Sequence, residues 1–390
     1  MFRLILHNLK HFLITFTLLF ILLVGFGIYI GADAHLMQNP LAYQLNKEGP
    51  HIFIENDQLS VKTIRGNSED GFYLDQETHD STTGFEVNVH FALEALDFKV
   101  IVNPVIQTPA VDYHVTAPII ALSDIESGFK AFRDFLVANQ VINEQLEWTF
   151  GNGHLVLVGD FVDRGDSVTQ VLWLIYKLEQ EALAAGGLVH FILGNHEIKN
   201  LQGNFQSASK KYFYIAAMLE KGQHELYGEK SFIGKWMASK NSVEKINDTL
   251  FTHGGIHPQI ADMNFNLKKI NNTIRENYRK PYFTKQTTND TDFLISTTTG
   301  PSWYRGYFKD ELTIAEIDQV LHKFGAKSIV VGHTIHSQVK KFFDGRVYAI
   351  DVKHPKDYLK SFPIRRSEGL MIDKSSYIRL LEDGSRQKLN

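Results

Sequence analysis

The chain contains no cysteine. That absence removes disulfide frameworks, thiolate nucleophiles, cysteine-based zinc sites and iron–sulfur clusters together. It leaves the compartment open, because a cysteine-free protein suits either side of a membrane. An excess of basic charge is also lacking: 40 Lys and Arg stand against 44 Asp and Glu, a formal net charge of −4. Nothing in that balance points to nucleic acid as a partner. Low-complexity tracts and internal repeats are absent too. With 44% hydrophobic and 22% charged residues, the 390-residue chain has a globular composition, with room for one large α/β domain and a smaller appendage.

Long apolar runs are missing except near the N-terminus. Residues 12–30 carry no charge and approach the ~20 residues needed to cross a bilayer as a helix. Arg3 and Lys10 precede the run, which predicts a cytoplasmic N-terminus and an extracytoplasmic, periplasmic bulk. A cleaved signal peptide is the alternative, with Ala32-Asp33-Ala34 as the processing site. Signal-peptide cores usually run about 7–15 residues, so the greater length favours an uncleaved anchor. Gly25, Gly27 and Gly31 imitate part of a nucleotide-binding pattern, but no strand–helix unit surrounds them.

Residues 36–116 read as strands and turns, with strand character at 51–54 and 85–89 and punctuation at Asn67, Gly71, Asp80 and Gly84. No catalytic pattern occurs there, so a small β-rich appendage or stalk is expected. From residue 117 strands and helices alternate, the mark of a βαβ architecture. Strands are predicted at 118–122, 154–158, 188–193, 249–252 and 328–331, and helices at 129–136, 167–185 and 313–324. Residues 200–248 read as mostly helical, 264–299 as a polar interruption, and 340–381 as strand-rich. The expected division is therefore residues 1–35 as anchor or signal, 36–116 as appendage and 117–390 as the main domain.

The chain is organised around HLVLVGDFVDRG, residues 154–165. A buried-type strand stops at Gly159-Asp160, and Asp163-Arg164-Gly165 follows at once. Open α/β sheets place ligands at such carboxyl ends. Four other predicted strands end comparably, in Asp124-Ile125-Glu126, Asn195-His196, His253-Gly254 and Gly332-His333. Asp124, Glu126, Asp160, Asn195, His253 and His333 together make a hard, O/N-rich ligand set that suits Mn, Fe or Zn. Two cations ~3.5–4 Å apart need a shared anion, and Asp160 is placed to bridge them. Such a pair makes a bridging hydroxide available at neutral pH. His196, next to Asn195, is placed to protonate a leaving alkoxide, with Asp163 holding the imidazole. Arg164 and Arg305 are placed to clamp a phosphate.

GDFVDRGD, LGNHE, THGGI, PSWYRG and VVGHT, in that order, resemble the calcineurin-like metallophosphoesterases. Within them the match is closest in kind to the serine/threonine protein phosphatase branch and its bacterial Shewanella-like relatives. The resemblance spans residues 117–351. It implies an α/β (α+β) fold, a central β-sandwich flanked by helices with a dimetal site at the strand C-terminal ends. By position, it implies that Asp124 and Glu126 are first-metal ligands, Asp160 the bridge, and Asn195, His253 and His333 second-metal ligands. His196 with Asp163 matches the catalytic pair, and Arg164 with Arg305 the phosphate clamp.

One position departs. The family pattern D-x-H-G is replaced by Asp124-Ile125-Glu126-Ser127-Gly128. A glutamate there hardens the site toward manganese or magnesium, or leaves that metal weakly held. His336 lies one residue out of register with a G-H-x-H ending and is left out of the ligand set. Asp124 also suits a helix N-cap, Glu197 suits either support of the site or plain surface, and His257 reads as a loop residue. Trp303 and Tyr304 suit packing and substrate contact equally. The His196-Glu197 pair lacks the second histidine of a zincin, since Asn200 stands there.

The resulting expectation is a membrane-anchored phosphomonoesterase of the phosphoprotein phosphatase type. It would use two divalent metals, Mn foremost with Fe, Zn or Mg as alternatives. Its partners would be a phosphorylated protein or small phosphoester and, through the first helix, a membrane; nucleic acid is not expected. Hydrolysis of dinucleoside polyphosphates on the same site is one alternative. A catalytically weak anchored binding module, with Glu126 spoiling the first metal site, is another.

Overall fold

The computed structural model describes residues 2–40, 44–309, 312–374 and 376–389. Residues 41–43, part of the expected β-rich appendage, lie outside the described residues. Two six-stranded sheets form the centre. The first runs, in spatial order, Leu188–Ile192, His154–Val158, Ile119–Leu122, Glu368–Asp373, Ser376–Leu381 and Arg386–Lys388. Its first three strands are parallel and the rest antiparallel. The second runs Lys340–Phe342, Val347–Ala349, Ser328–Val331, Thr249–Thr252, Val243–Ile246 and Asp112–Tyr113.

Why the strand at residues 154–158 is apolar throughout is now plain. Side chains alternate faces along a strand. Val156 and Val158 join Ile119, Ala121 and Ile192 against Phe251, Val330 and Ile350 of the second sheet. Leu155 and Leu157 belong to the other apolar cluster, with the helices Phe129–Ala138 and Val168–Ala184. A strand buried on both faces needs no polar side, as parallel sheets require. The expected sandwich flanked by helices is what forms.

The helix Phe129–Ala138 buries Phe129, Phe132, Phe135 and Leu136 at helical spacing. Its N-terminus is not capped by Asp124. Asp357 caps it from far along the chain, accepting the N–H groups of Phe129 at 2.8 Å and Lys130 at 3.1 Å.

The N-terminal strands Glu48–Glu55, Gln58–Asn67 and Gly71–Asp80 form an antiparallel sheet, followed by the hairpin Phe85–Phe91 and Leu96–Val102. Their buried Ile52, Val61, Val89 and Phe91 share one apolar cluster with the helical layer. The Phe91 and Phe98 rings lie 4.6 and 5.8 Å from that of Phe129. Trp173 Nε1 donates to the Pro50 carbonyl at 2.9 Å, and Lys211 Nζ pairs with Glu48 at 2.8 Å in a buried bridge. The segment is braced on the main body through its first strand and the hairpin, while the strand Gly71–Asp80 stands exposed at the outer edge.

The helix Phe2–Tyr29 is exposed and is the one helix among the described residues long and apolar enough to cross a membrane. Just beyond it Asp33 pairs with Lys353 at 3.2 Å and with Arg365. The strand Ala34–Gln38 then pairs antiparallel with Leu359–Phe362.

Two stretches differ from expectation. Residues 200–248 hold the short helices Lys210–Met218 and Phe232–Ala238, the turn Gln223–Tyr227 and the strand Val243–Ile246. That strand reads as polar because Glu244 is buried against His190 at 2.7 Å. The expected polar interruption contains the helices Leu267–Asn277 and Asp290–Leu294, capped by Asn266 and Asn289. Leu267, Ile270 and Ile274 form one narrow apolar stripe, and the Lys, Asn and Arg around them lower the mean hydropathy enough to hide it.

Candidate active site

The strand ends converge on one polar cavity of about 410 Å³. Asp124, Asp160, Asp163, Arg164 and His333 all adopt left-handed backbone there, with φ between 55° and 67°. Each such residue costs ~1–3 kcal/mol and persists only where its surroundings impose it. Glu197 does much of the imposing. Its buried carboxylate accepts the N–H groups of Asp160 at 2.9 Å, Phe161 at 2.7 Å and Gly194 at 2.9 Å. Gly159 has φ +80°, and a Cβ on it would lie 2.6 Å from Gly194 and 2.7 Å from His253 Nδ1. The turn that delivers Asp160 therefore requires glycine.

Asp160, His253 and His333 offer ligand atoms all within 4.8 Å of one another. His253 Nδ1 donates to the Val158 carbonyl at 2.8 Å, which turns the Nε2 lone pair toward Asp160 Oδ2 at 3.0 Å. His333 Nε2 donates to the Trp303 carbonyl at 3.0 Å, leaving Nδ1 inward. Fixing the outer nitrogen in this way is how metal-binding imidazoles are oriented. The inward amide atom of Asn195 lies 3.2 Å from His253 Nε2 and 2.9 Å from His333 Nδ1. With its oxygen inward and the His253 Nε2 proton removed, four acceptors face one point, an arrangement that a cation resolves.

Charge agrees with that reading. Burial, with His253 and Arg305 nearby, pushes His333 well below the usual imidazole range, so it is neutral as a ligand must be. Burial also opposes a charge on His253, but Asp160 and Asp124 outweigh it and raise that group to about 9. A cation can take the place of the proton between them. The donor set fits a divalent metal.

The acidic side is crowded. Asp124 Oδ2 accepts the His333 N–H at 3.1 Å. Burial and then Asp351 push Asp124 well above the carboxylate range; burial and then Glu126 do the same to Asp351. Glu126 itself faces two cations, Arg164 Nη1 and Lys356 Nζ, the latter at 3.1 Å.

His196 Nδ1 lies 2.7 Å from Asp163 Oδ2, and Asn200 Nδ2 donates to the other Asp163 oxygen at 2.9 Å. The imidazole is thus held by its outer nitrogen, with Nε2 3.0 Å from Arg164 Nη2 and 3.9 Å from Asp160 Oδ2. Arg305 donates to the His333 carbonyl and to Thr334 Oγ1, the latter at 3.1 Å. Arg164, Arg305 and Lys199 line the same cavity.

All ten residues singled out from the sequence are brought to this region. His336 is not: it packs between the rings of Phe308 and Phe342 at 4.6 and 5.1 Å. His257 accepts the Gln259 N–H as the cap of a short turn. Trp303 lines the cavity, whereas Tyr304 is buried against Tyr307 and His257. Sequence reading missed Lys199, Asp351 and Lys356. Asp351 carried a usable signal, an acid just past the apolar strand Val347–Ala349.

A buried O/N donor set, a His–Asp pair beside it and two guanidinium groups on the same cavity define a metal-site hydrolase of phosphoesters. The chain belongs to the calcineurin-like phosphoesterases, whose family pattern matches residues 117–337. It is similar to the cold-active protein-tyrosine phosphatase of a psychrophilic Shewanella species. That solved structure is 32% identical with a TM-score of 0.76, and the match covers 88% of this chain and 99% of that one. Shewanella-like protein phosphatase 1 of Plasmodium berghei is 28% identical over 242 residues, 60% of this chain and 66% of that protein. Shewanella-like protein phosphatase 2 of Arabidopsis thaliana is 23% identical over 312 residues, 66% of this chain and 78% of that protein.

Proposed function

We propose that this chain is a two-metal phosphomonoesterase acting on phosphorylated protein side chains. The observation that carries the reading is the set of inward-facing lone pairs on Asp160, His253 and His333, with His196 and two arginines on the same cavity. Asp160 would bridge the two cations, with Asn195, His253 and His333 on one of them and Asp124 with a further carboxylate on the other. When bound, such a pair supplies an activated water and positive charge for the phosphoryl oxygens.

The chain's own residues do the rest. Arg164 and Arg305 bind the phosphoryl oxygens through charge-assisted hydrogen bonds and set the ester in line. His196 gives a proton from Nε2 to the leaving oxygen, while Asp163 holds the Nδ1–H and steadies the imidazolium. No cysteine exists to form a covalent phosphoenzyme, and direct displacement suits the groups present. Residues 36–116 serve as a brace on the helical layer, and the first helix as a membrane anchor with the catalytic domain on the extracytoplasmic side.

Hydrolysis of p-nitrophenyl phosphate by the full chain in detergent tests this. The protein is stripped of metal and resupplied with Mn, Mg, Zn or Fe, with Asp160→Asn alongside. Metal-restored turnover that Asp160→Asn abolishes supports the reading; a folded protein without turnover under any metal overturns it. Phosphotyrosine is a second reading of the substrate, favoured by the similarity to the Shewanella tyrosine phosphatase. Paired phosphotyrosine and phosphoserine peptides separate it from the serine/threonine reading.

A further inference from the structure

We propose that Asp351 takes the ligand place that the family gives to histidine at the first metal, and that Glu126 is instead the counter-ion of Arg164 and Lys356. This rests on the two-metal reading above and says which carboxylate completes it.

Asp351 is 2% exposed and lines the same cavity as Asp124 and Asp160. Its backbone carbonyl accepts the His336 N–H at 2.9 Å. Among the described residues no N–H or O–H group is hydrogen-bonded to its carboxylate. The two cations that act on it are engaged elsewhere: Arg305 with His333 and Thr334, and Arg164 with Glu126 and His196. A buried carboxylate left so is costly unless a cation joins it.

The register places it well. Val331 pairs with Ala349 on neighbouring parallel strands, and His333 and Asp351 each follow that pair by two residues, at the same end of the sheet. The preceding residue keeps the ladder going, with the Ile350 N–H donating to the Val331 carbonyl at 2.9 Å. Asp351 thus belongs to the same row of strand ends that delivers Asp124, Asp160 and His333. It is the one member of that row with no protein partner for its side chain.

Glu126 is the opposite case. Its Oε1 meets Arg164 Nη1 and its Oε2 meets Lys356 Nζ. Both of its oxygens are engaged by cations, so a metal would have to compete with one of them. Kept as it is, it holds Arg164 over the site. A first site built from Asp124, Asp160 and Asp351 is all-carboxylate, a chemistry that favours Mn or Mg over Zn.

The test is manganese stoichiometry of the full chain, by elemental analysis and by electron paramagnetic resonance of coupled Mn pairs. Wild type and Glu126→Gln should each hold two Mn per chain with a coupled signal. Asp351→Asn should hold one. Its affinity for the second should fall by more than the ~10–100-fold typical of changes outside the ligand shell. Metal-free Asp351→Asn should give the circular dichroism spectrum and cooperative melt of metal-free wild type, which shows that the variant is folded. Two tightly held Mn in Asp351→Asn, or one in Glu126→Gln, overturns the proposal. Fewer than two in wild type would instead overturn the two-metal reading, a separate failure.

Discussion

The backbone N–H of Asp160 donates across 2.9 Å to Oε2 of Glu197, and both residues are buried. The same carboxylate holds the N–H groups of Phe161 and Gly194, so one side chain ties two ligand-bearing turns together. A buried N–H left without an acceptor costs about 1–3 kcal/mol. Glu197→Ala should therefore destabilise the fold by about 3 kcal/mol or more and weaken metal binding. Glu197→Gln, which keeps one acceptor oxygen, should lose less. Denaturant unfolding and metal titration on both variants check this; no loss in Glu197→Gln would show that the side chain acts only by filling space, and equal losses that a single acceptor oxygen does not suffice.

His196→Ala should lower kcat by ~10²–10⁴, the usual contribution of a positioned general acid, with metal content unchanged. Asp163→Asn should follow it in direction, since it removes the anion 2.7 Å from His196 Nδ1. Elemental analysis beside the rate assay separates lost proton transfer from lost metal. Unchanged turnover in His196→Ala would remove the residue from the reaction.

Arg164→Ala should act mainly on substrate binding. A hydrogen bond to a charged group is worth about 1.5–3 kcal/mol, which corresponds to roughly 10–150-fold in kcat/KM. Steady-state kinetics on p-nitrophenyl phosphate read it. A change confined to kcat would place the guanidinium on the transition state alone.

Acid should weaken the brace. Burial, with Lys211 also unfavourable and Glu48 only partly compensating, pushes His51 down to about 4. The unfolded chain takes up this proton near 6.5 and the folded chain only near 4. The stability tied to His51 is therefore complete above pH 6.5 and is lost as pH falls toward 4, by up to about 3 kcal/mol. Melting temperatures measured across that window should fall, and should fall less in His51→Leu. Parallel curves for the two proteins would locate the acid sensitivity elsewhere.

How much of this was legible in the sequence depends on distance along the chain. Asp160, His253 and His333 each end a short apolar strand beside glycine, and a strand end needs only local information to recognise. The sandwich follows from the same runs. Asp357 as the cap of a helix more than two hundred residues earlier, and Lys356 as a partner of Glu126, exist only through the fold. Asp351 shares the strand-end signal but sits outside any motif. The helix Leu267–Asn277 was hidden because three apolar side chains suffice to seat it. Left-handed turns at six of the ten site residues leave only a weak trace in residue type, since glutamate and arginine occupy them beside the more tolerant aspartate and histidine.

Asp33 is gripped by Lys353 and Arg365 four residues after the first helix ends, and the next residues are stitched into a strand pair with Leu359–Phe362. The join has no slack. With the helix seated in a bilayer, the catalytic mouth would ride at one fixed height and could not sweep the volume that a flexible leash allows. Such an enzyme would sort phosphoesters by how far from the lipid surface they are presented, before any side chain reads their chemistry.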